Sequence, residues 1–236
     1  MGMSALFIFG MGYTAQAIAA RLRTRGWSVS GTGSSGDLAF GDSPAVHAAL
    51  ARASHVLSSV PPADGIDPVL DRYGTSLGHG WLGYLSSTGV YGDTGGAWVD
   101  ETAPIGGGRR SARSDADAAW LARGARVFRL PGIYGAGRSA LDRVREGKAH
   151  RIDLPAQVFS RVHVSDIAAG VIAALDAPAG AYNLADDLPC SQNTVIAEAC
   201  HLLGLPLPPL QSLDAAGLSP MARAFYAENR RVANGK

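Results

Sequence analysis

Directly after the apolar run Ala5–Phe9, the stretch FGMGYTAQ places Gly10, Gly12 and Ala15 in a Gly-x-Gly-x-x-Ala spacing. Such a spacing suits phosphate chemistry. The first glycine permits a tight turn, the second lets backbone N–H groups approach a pyrophosphate, and the small Ala15 lets the following helix pack close to the strand. The helix N-terminus then faces the negative charge. Met11, Tyr13 and Thr14 fall within the same loop and helix start. A second stretch, YLSSTGVYGD at 84–93, runs from a strand-like start into three hydroxyl side chains. It reads either as a catalytic hydroxyl at the mouth of a ligand site or as a strand ending in a turn whose serines satisfy backbone groups.

The elements that must carry these loops alternate between two periods. Ala5–Phe9 is a continuous apolar run of the kind a parallel strand buried on both faces shows. Ala15, Ile18, Ala19 and Leu22 then recur at helical spacing. Arg21, Arg23 and Arg25 lie near the helix end, with Gly26 as a stop. Further strands are expected at 27–32, 55–59, 81–86 and 126–130, with helices near 44–53, 67–79 and 111–123. After Pro131 the pattern loosens. A turn at Gly132–Gly135 leads to helices at 139–147, 165–176 and 191–203, strands around 157–162 and 182–184, and a last polar helix at 220–231. Repeated strand–helix alternation predicts an α/β fold with a doubly wound parallel sheet of the Rossmann type. Residues 1–133 form mainly its dinucleotide-binding part, and 134–236 mainly a small substrate-side lobe of the same compact unit.

Composition narrows the function. The chain has 236 residues, enough for one such domain, and its 47% hydrophobic content can fill a substantial core. A net charge of +1 without a basic block points away from nucleic acid and anionic membranes. The N-terminal MGMSALFIFGMG lacks a basic segment and reads as a buried strand rather than a signal peptide. No apolar run reaches the roughly 18 residues of a membrane span. Cys190 and Cys200 are the two cysteines, which suits a reducing cytoplasm, although their spacing would also allow a bridge. No metal-binding pattern stands out. An acid is expected about 20 residues beyond the glycines in NAD-binding proteins, yet the window reads SGTGSSGD. Ser34 is available there and Asp37 arrives late, so the reading leans to NADP and leaves NAD open.

Taken together, the glycine loop, SSTGVYGD, RLPGIYGAGRS and RVHVSDIA resemble, in order and spacing, the extended short-chain dehydrogenase/reductase superfamily, the group of NAD(P)-dependent epimerases and dehydratases. GMGYTA resembles the loop of an atypical branch. The resemblance spans residues 5 to about 232. Its relatives usually continue beyond an ENRRV segment, which implies that part of the substrate lobe is absent. The resemblance implies that Ser87, three residues before Val90, polarises a substrate carbonyl or alcohol, as a hydroxyl at a strand's carboxyl end can do. Strand alternation sets Ser86 on the opposite face, although Ser86 stays among the cofactor-side candidates. Ser59, Val60 and Pro61, at the carboxyl edge of a strand, join that set, as do Pro131, Gly132 and Ile133, which resemble a nicotinamide-flanking segment. Arg138, Arg161 and His163 are candidates for an anionic or polyhydroxy substrate, with His163 alternatively anchoring a strand-to-helix turn. The expected partner is a small polar or anionic molecule, and a homodimer is left open.

The superfamily also implies a Tyr-x-x-x-Lys pair some 25 residues after its serine. Here the stretch is GRRSARSDADAAW, and alignment through Asp117 puts Arg109 on the tyrosine position and Arg113 on the lysine position. An arginine holds its proton and is a poor general acid or base. Arg113 could take over the cationic, ribose-holding role, and Arg109 could fork onto a carboxylate or phosphate. Tyr91 and His163 are the remaining weak substitutes for proton transfer. The implied protein therefore binds NAD(P) with an atypical active site, either as an oxidoreductase or epimerase/dehydratase or as a redox-silent sensor or interaction protein.

Overall fold

The computed structural model describes residues 4–107 and 111–236. In chain order its elements are β1 (Ala5–Phe9), α1 (Tyr13–Arg23), β2 (Ser28–Gly31), α2 (Ser43–Leu50), β3 (His55–Ser58), α3 (Pro68–Tyr73), β4 (Trp81–Ser87), β5 (Trp98–Val99), α4 (Ser111–Ala122) and β6 (Arg126–Leu130). They continue as β7 (Gly132–Tyr134), α5 (Ala140–Arg145), β8 (Arg151–Ile152), β9 (Arg161–His163), α6 (Val164–Ala173), β10 (Gly180–Asn183), α7 (Gln192–Leu203), β11 (Leu210–Gln211), α8 (Pro220–Phe225) and β12 (Arg231–Val232).

Six strands form one parallel sheet in the order β10-β6-β4-β3-β1-β2. The order reverses between β1 and β3, which opens a crevice at their carboxyl ends where ligands bind in open α/β sheets. Two apolar layers cover the sheet. On one face α1 and α6 bury Ile18, Leu22, Ile167 and Val171 against Leu6, Ile8, Leu57 and Phe128. On the other, α2, α3 and α4 bury Val46, Val69, Tyr73 and Trp120 against Phe7, Phe9, Val56 and Tyr84. The alternation Leu6/Phe7/Ile8/Phe9 between the two layers follows from the two-residue period of a strand. β10, from the second half of the chain, supplies the outer strand beside β6, and Trp81 donates its indole N–H to the Ala174 carbonyl at 3.1 Å. Among the described residues no helix is long and apolar enough to cross a membrane.

Beneath the carboxyl edge of the sheet, polar groups are buried as a connected set. Asp117, fully buried on α4, accepts from Arg129 Nη2 at 2.8 Å and Nε at 3.2 Å, and from the Ser86 hydroxyl at 2.6 Å. Arg129 Nη1 donates to the Tyr91 hydroxyl at 3.0 Å, which in turn donates to Asn183 Oδ1 at 2.7 Å. Glu101 accepts from the Asn183 backbone N–H at 2.7 Å. Burial opposes the Arg129 charge, but the bonds to Asp117 and Tyr91 outweigh it and raise its pKa above the ordinary value.

Several element boundaries differ from the sequence pattern. The segment 67–79 carries α3 only to Tyr73, followed by a short 3-10 turn at Gly74–Ser76. Gly132–Tyr134 is a strand, paired in parallel with β9, because an extended segment there finds a ladder partner 29 residues on. The last helix ends at Phe225 rather than 231, since Asn229–Val232 bonds to the 93–99 segment instead of to its own turn. Both cysteines are free. A chain in which Arg129→Met leaves Asp117 buried without its counter-charge should lose about 3–5 kcal/mol of stability. Urea denaturation of wild type and variant measures this.

Candidate functional site

β1 delivers the chain to Gly10 with φ +85°, a region other residues avoid, and a Cβ there would stand 3.0 Å from Val60 Cγ2. Buried Thr32 clamps the loop to the end of β2: its carbonyl accepts from Met11 N–H at 2.6 Å and its hydroxyl from Gly10 N–H at 3.2 Å. Gly12 is the N-cap of α1, and a Cβ on it would meet nothing within 4 Å. No side chain caps this helix and its first turn holds no acid. Unsatisfied N–H groups thus face open space at the positive end of α1, the arrangement a pyrophosphate requires. Thr14 and Ala15 are buried beneath the loop, and Tyr13 lies half-buried at its rim.

Neighbouring strand ends build the walls. Ser59 N–H donates to the Phe9 carbonyl at 2.8 Å, so Ser59, Val60 and Pro61 run on beside the glycine loop. Gly33 packs against it from the β2 side, with φ +115° and a would-be Cβ 2.9 Å from Met11 N. Ser34 is exposed there, and Ser35 accepts from Gln16 Nε2 at 3.3 Å. The late acid Asp37 accepts from Gly31 N–H at 3.3 Å, which engages its carboxylate with backbone.

Ser86 and Ser87 end β4 with opposite side-chain directions. Ser86 points to α4 and Asp117, away from the glycine-loop helix. Ser87, half-buried, caps the 3-10 turn Thr88–Tyr91 by accepting from Gly89 N–H at 3.1 Å. The Tyr91 side chain is buried, its hydroxyl engaged by Arg129 and Asn183, and burial pushes its pKa up.

Residues 131–138 close the far side. Pro131, Gly132 and Ile133 follow β6, with Gly132 N–H bonded to the Ser160 carbonyl. Tyr13 donates to the Ala136 carbonyl at 3.0 Å, and the Arg138 guanidinium lies 4.3 Å over the Tyr13 ring. Arg138 therefore stands beside the start of α1. His163 caps α6, its Nδ1 2.6 Å from the Ser165 hydroxyl and accepting from Ser165 N–H at 3.3 Å, with its ring edge-on to Tyr134. Burial pushes the Tyr134 phenol to about 12, reinforced by a bond to Asp186. Arg161 donates to the carbonyls of Phe159 and Cys190 and to Gln192, and burial lowers its pKa.

Of the two arginines on the Tyr/Lys positions, Arg109 lies outside the described residues. Arg113 donates to the Tyr84 hydroxyl at 3.3 Å, and that phenol is pushed to about 12 by burial. Three contributions had no local signal in the sequence: the Thr32 clamp, the Asp117–Arg129 pair, and Arg230. Arg230 reaches the turn after Ser87, where Nη1 donates to the Gly92 carbonyl at 2.6 Å.

A protein from Silicibacter pomeroyi, described as functionally unknown and conserved, is 41% identical with a TM-score of 0.86, over 98% of this chain and 90% of its own. The chain belongs to that protein's family. Its fold is that of the epimerase/dehydratase-like short-chain dehydrogenases/reductases. The human epimerase family protein SDR39U1 (isoform 2), solved with NADPH, matches at TM-score 0.72 and 16% identity over 98% of this chain and 91% of its own. The dTDP-glucose 4,6-dehydratase of Bacillus anthracis, solved with NAD, matches at 0.73 and 15% over 98% and 87%. No protein-family model and no curated protein matches the chain.

The two loop glycines should separate by stability. Gly10→Val forces a β-branched residue into positive φ against Val60 and should lower Tm by roughly 3–8 °C, whereas Gly12→Val should leave it within about 1 °C. Thermal denaturation of both proteins reads the difference.

Proposed function

We propose that the protein binds NAD(P) across the glycine loop and acts on, or senses, a small polar or anionic substrate held against Ser87. The observation that carries this reading is the open space at Gly12 in front of the uncapped α1 N-terminus. Structures of the same fold solved with NADPH and with NAD support it. Met11, Gly12, Tyr13 and Thr14 would hold the pyrophosphate, Ser34 the adenosine ribose, and Ser59, Val60, Pro131, Gly132 and Ile133 the remainder of the dinucleotide. The end of β2 carries Gly33 and Ser34 in place of an acid, and Asp37 arrives later in the loop with one oxygen on Gly31 N–H, which favours NADP over NAD.

When bound, the nicotinamide supplies hydride transfer. For the rest, the chain's own groups decide the chemistry. Ser87 offers one hydroxyl to polarise a carbonyl or alcohol. Arg113 and Arg109, on the positions of the usual Tyr/Lys pair, offer fixed positive charge and no exchangeable proton near neutral pH. Tyr91 and His163 are held in structural bonds, one in the buried network and one as a helix cap, which leaves neither poised to pass a proton to substrate. Ordinary Ser-Tyr-Lys redox turnover is accordingly lost or relocated, and the site retains cofactor and anion binding. The second reading, a redox-silent cofactor-binding sensor, follows from the same two arginines.

Calorimetric titration with NADP+ and NAD+ tests the cofactor reading. Wild type should bind NADP+ the tighter of the two, and Gly12→Val should weaken binding at least about tenfold. Absence of binding by wild type at millimolar concentration overturns the reading. A screen of sugar nucleotides and simple alcohols, followed by nicotinamide absorbance, should show no robust turnover. Robust turnover lost in Tyr91→Phe would relocate the chemistry to Tyr91, and robust turnover surviving both that change and His163→Ala would overturn the loss of the usual mechanism.

A further inference from the structure

The polar tail MARAFYAENRR reads as a helix with a solvated or packing face, yet its end is a strap bonded to the segment after the Ser87 turn. Asn229 fixes the strap from both sides. Its carbonyl accepts from Thr94 N–H at 3.1 Å and Gly96 N–H at 2.8 Å, and its N–H donates to Asp93 Oδ1 at 2.9 Å. Its side chain donates to the Ala156 carbonyl at 2.8 Å and accepts from Val158 N–H at 3.1 Å. The next residue, Arg230, is thereby carried over the turn that follows β4. Its Nη1 is held by the Gly92 carbonyl at 2.6 Å and by Glu228 Oε2 at 2.9 Å, both ends of the ion pair being largely buried.

Arg230 Nη2 and the Ser87 hydroxyl both border Gly89. A Cβ placed on Gly89 would lie 3.3 Å from Ser87 Oγ and 3.9 Å from Arg230 Nη2, so hydroxyl and cation flank one point above Gly89. That point carries no side chain because residue 89 is glycine. A guanidinium held in plane on one edge presents the other as a donor of fixed direction and charge, suited to an oxyanion. Neither Arg109 nor Arg113 is needed for this, since the cation comes from a different element.

We propose that Arg230 is the anion-recognition residue of the substrate site, its Nη2 edge binding a carboxylate or phosphate oxygen of a small substrate whose reacting carbon lies against Ser87. This rests on the cofactor site proposed above and names the chemistry of the second ligand. Glu228 acts as the positioning partner that keeps the guanidinium aimed.

The test titrates NADP+-saturated protein with malonate and, separately, with inorganic phosphate, and follows heat. At least one should bind wild type, with Arg230→Gln weakening it by at least about tenfold and changing NADP+ affinity by less than about twofold. Arg230→Lys keeps the charge and a donor for Gly92 but not the fork, and it should fall between the two. That variant carries the test if Arg230→Gln does not fold. Equal anion affinity in wild type and both variants overturns the proposal, as does wild type binding neither anion up to about 50 mM. Should NADP+ fail to bind wild type, the cofactor reading fails on its own, and the same anion titrations on the free protein decide the role of Arg230. Malonate binding without phosphate binding assigns a carboxylate substrate, and the converse a phosphorylated one.

Discussion

The carboxyl edge of the sheet hangs on one buried ion pair. Asp117 and Arg129 are almost wholly removed from water, and neither would be tolerable there alone. Each neutralises the other, and their remaining hydrogen-bonding capacity is spent on neighbours that matter: Ser86 near the end of β4, Tyr91 in the turn after it, and through Tyr91, Asn183 at the end of β10. Four elements are therefore registered against one another directly below Ser87. A sheet edge held only by apolar contacts would tolerate sliding, whereas hydrogen bonds between charged groups have strict direction. The position of Ser87 follows from a pair it never touches.

Above that network the site is built largely from backbone. The glycine loop offers N–H groups rather than side chains, and its neighbours at Gly31, Gly33 and Gly36 let three loops lie almost in contact. A Cβ at Gly31 would sit 2.2 Å from the Ile8 carbonyl, closer than any real contact. At Gly31, Gly33 and Gly36 backbone meets backbone, which no side chain would allow.

The charges around the opening are arranged for holding rather than for proton transfer. Arg138 stacks on Tyr13 beside the α1 N-terminus, Arg113 leans on Tyr84, and Arg230 arrives from the tail. Burial pushes the phenols of Tyr84, Tyr91 and Tyr134 up, away from neutrality, which suits them to structural bonds. Side chains of this kind are better suited to holding an anion than to moving a proton.

The sequence alone determined the parallel sheet, the glycine loop and the strand ending in Ser87, because these depend on local patterns. Apolar runs mark buried strands, helical spacing marks α1, and Gly-x-Gly-x-x-Ala marks a close backbone approach. It also set Ser86 and Ser87 on opposite faces, since a strand alternates whatever surrounds it. Tertiary structure decided the rest. That His163 caps a helix, that Arg161 is absorbed by the Phe159 and Cys190 carbonyls, and that Asp37 folds back on Gly31 depend on which groups compete for the same donors. The tail shows this most sharply. Residues 229–232 carry helix-compatible side chains, but the backbone there satisfies its N–H and C=O groups on the 93–99 segment more than 130 residues earlier. Propensity is a weak local preference, and a ladder of distant partners overrides it. Arg230 therefore reaches the turn after Ser87 only in the folded chain.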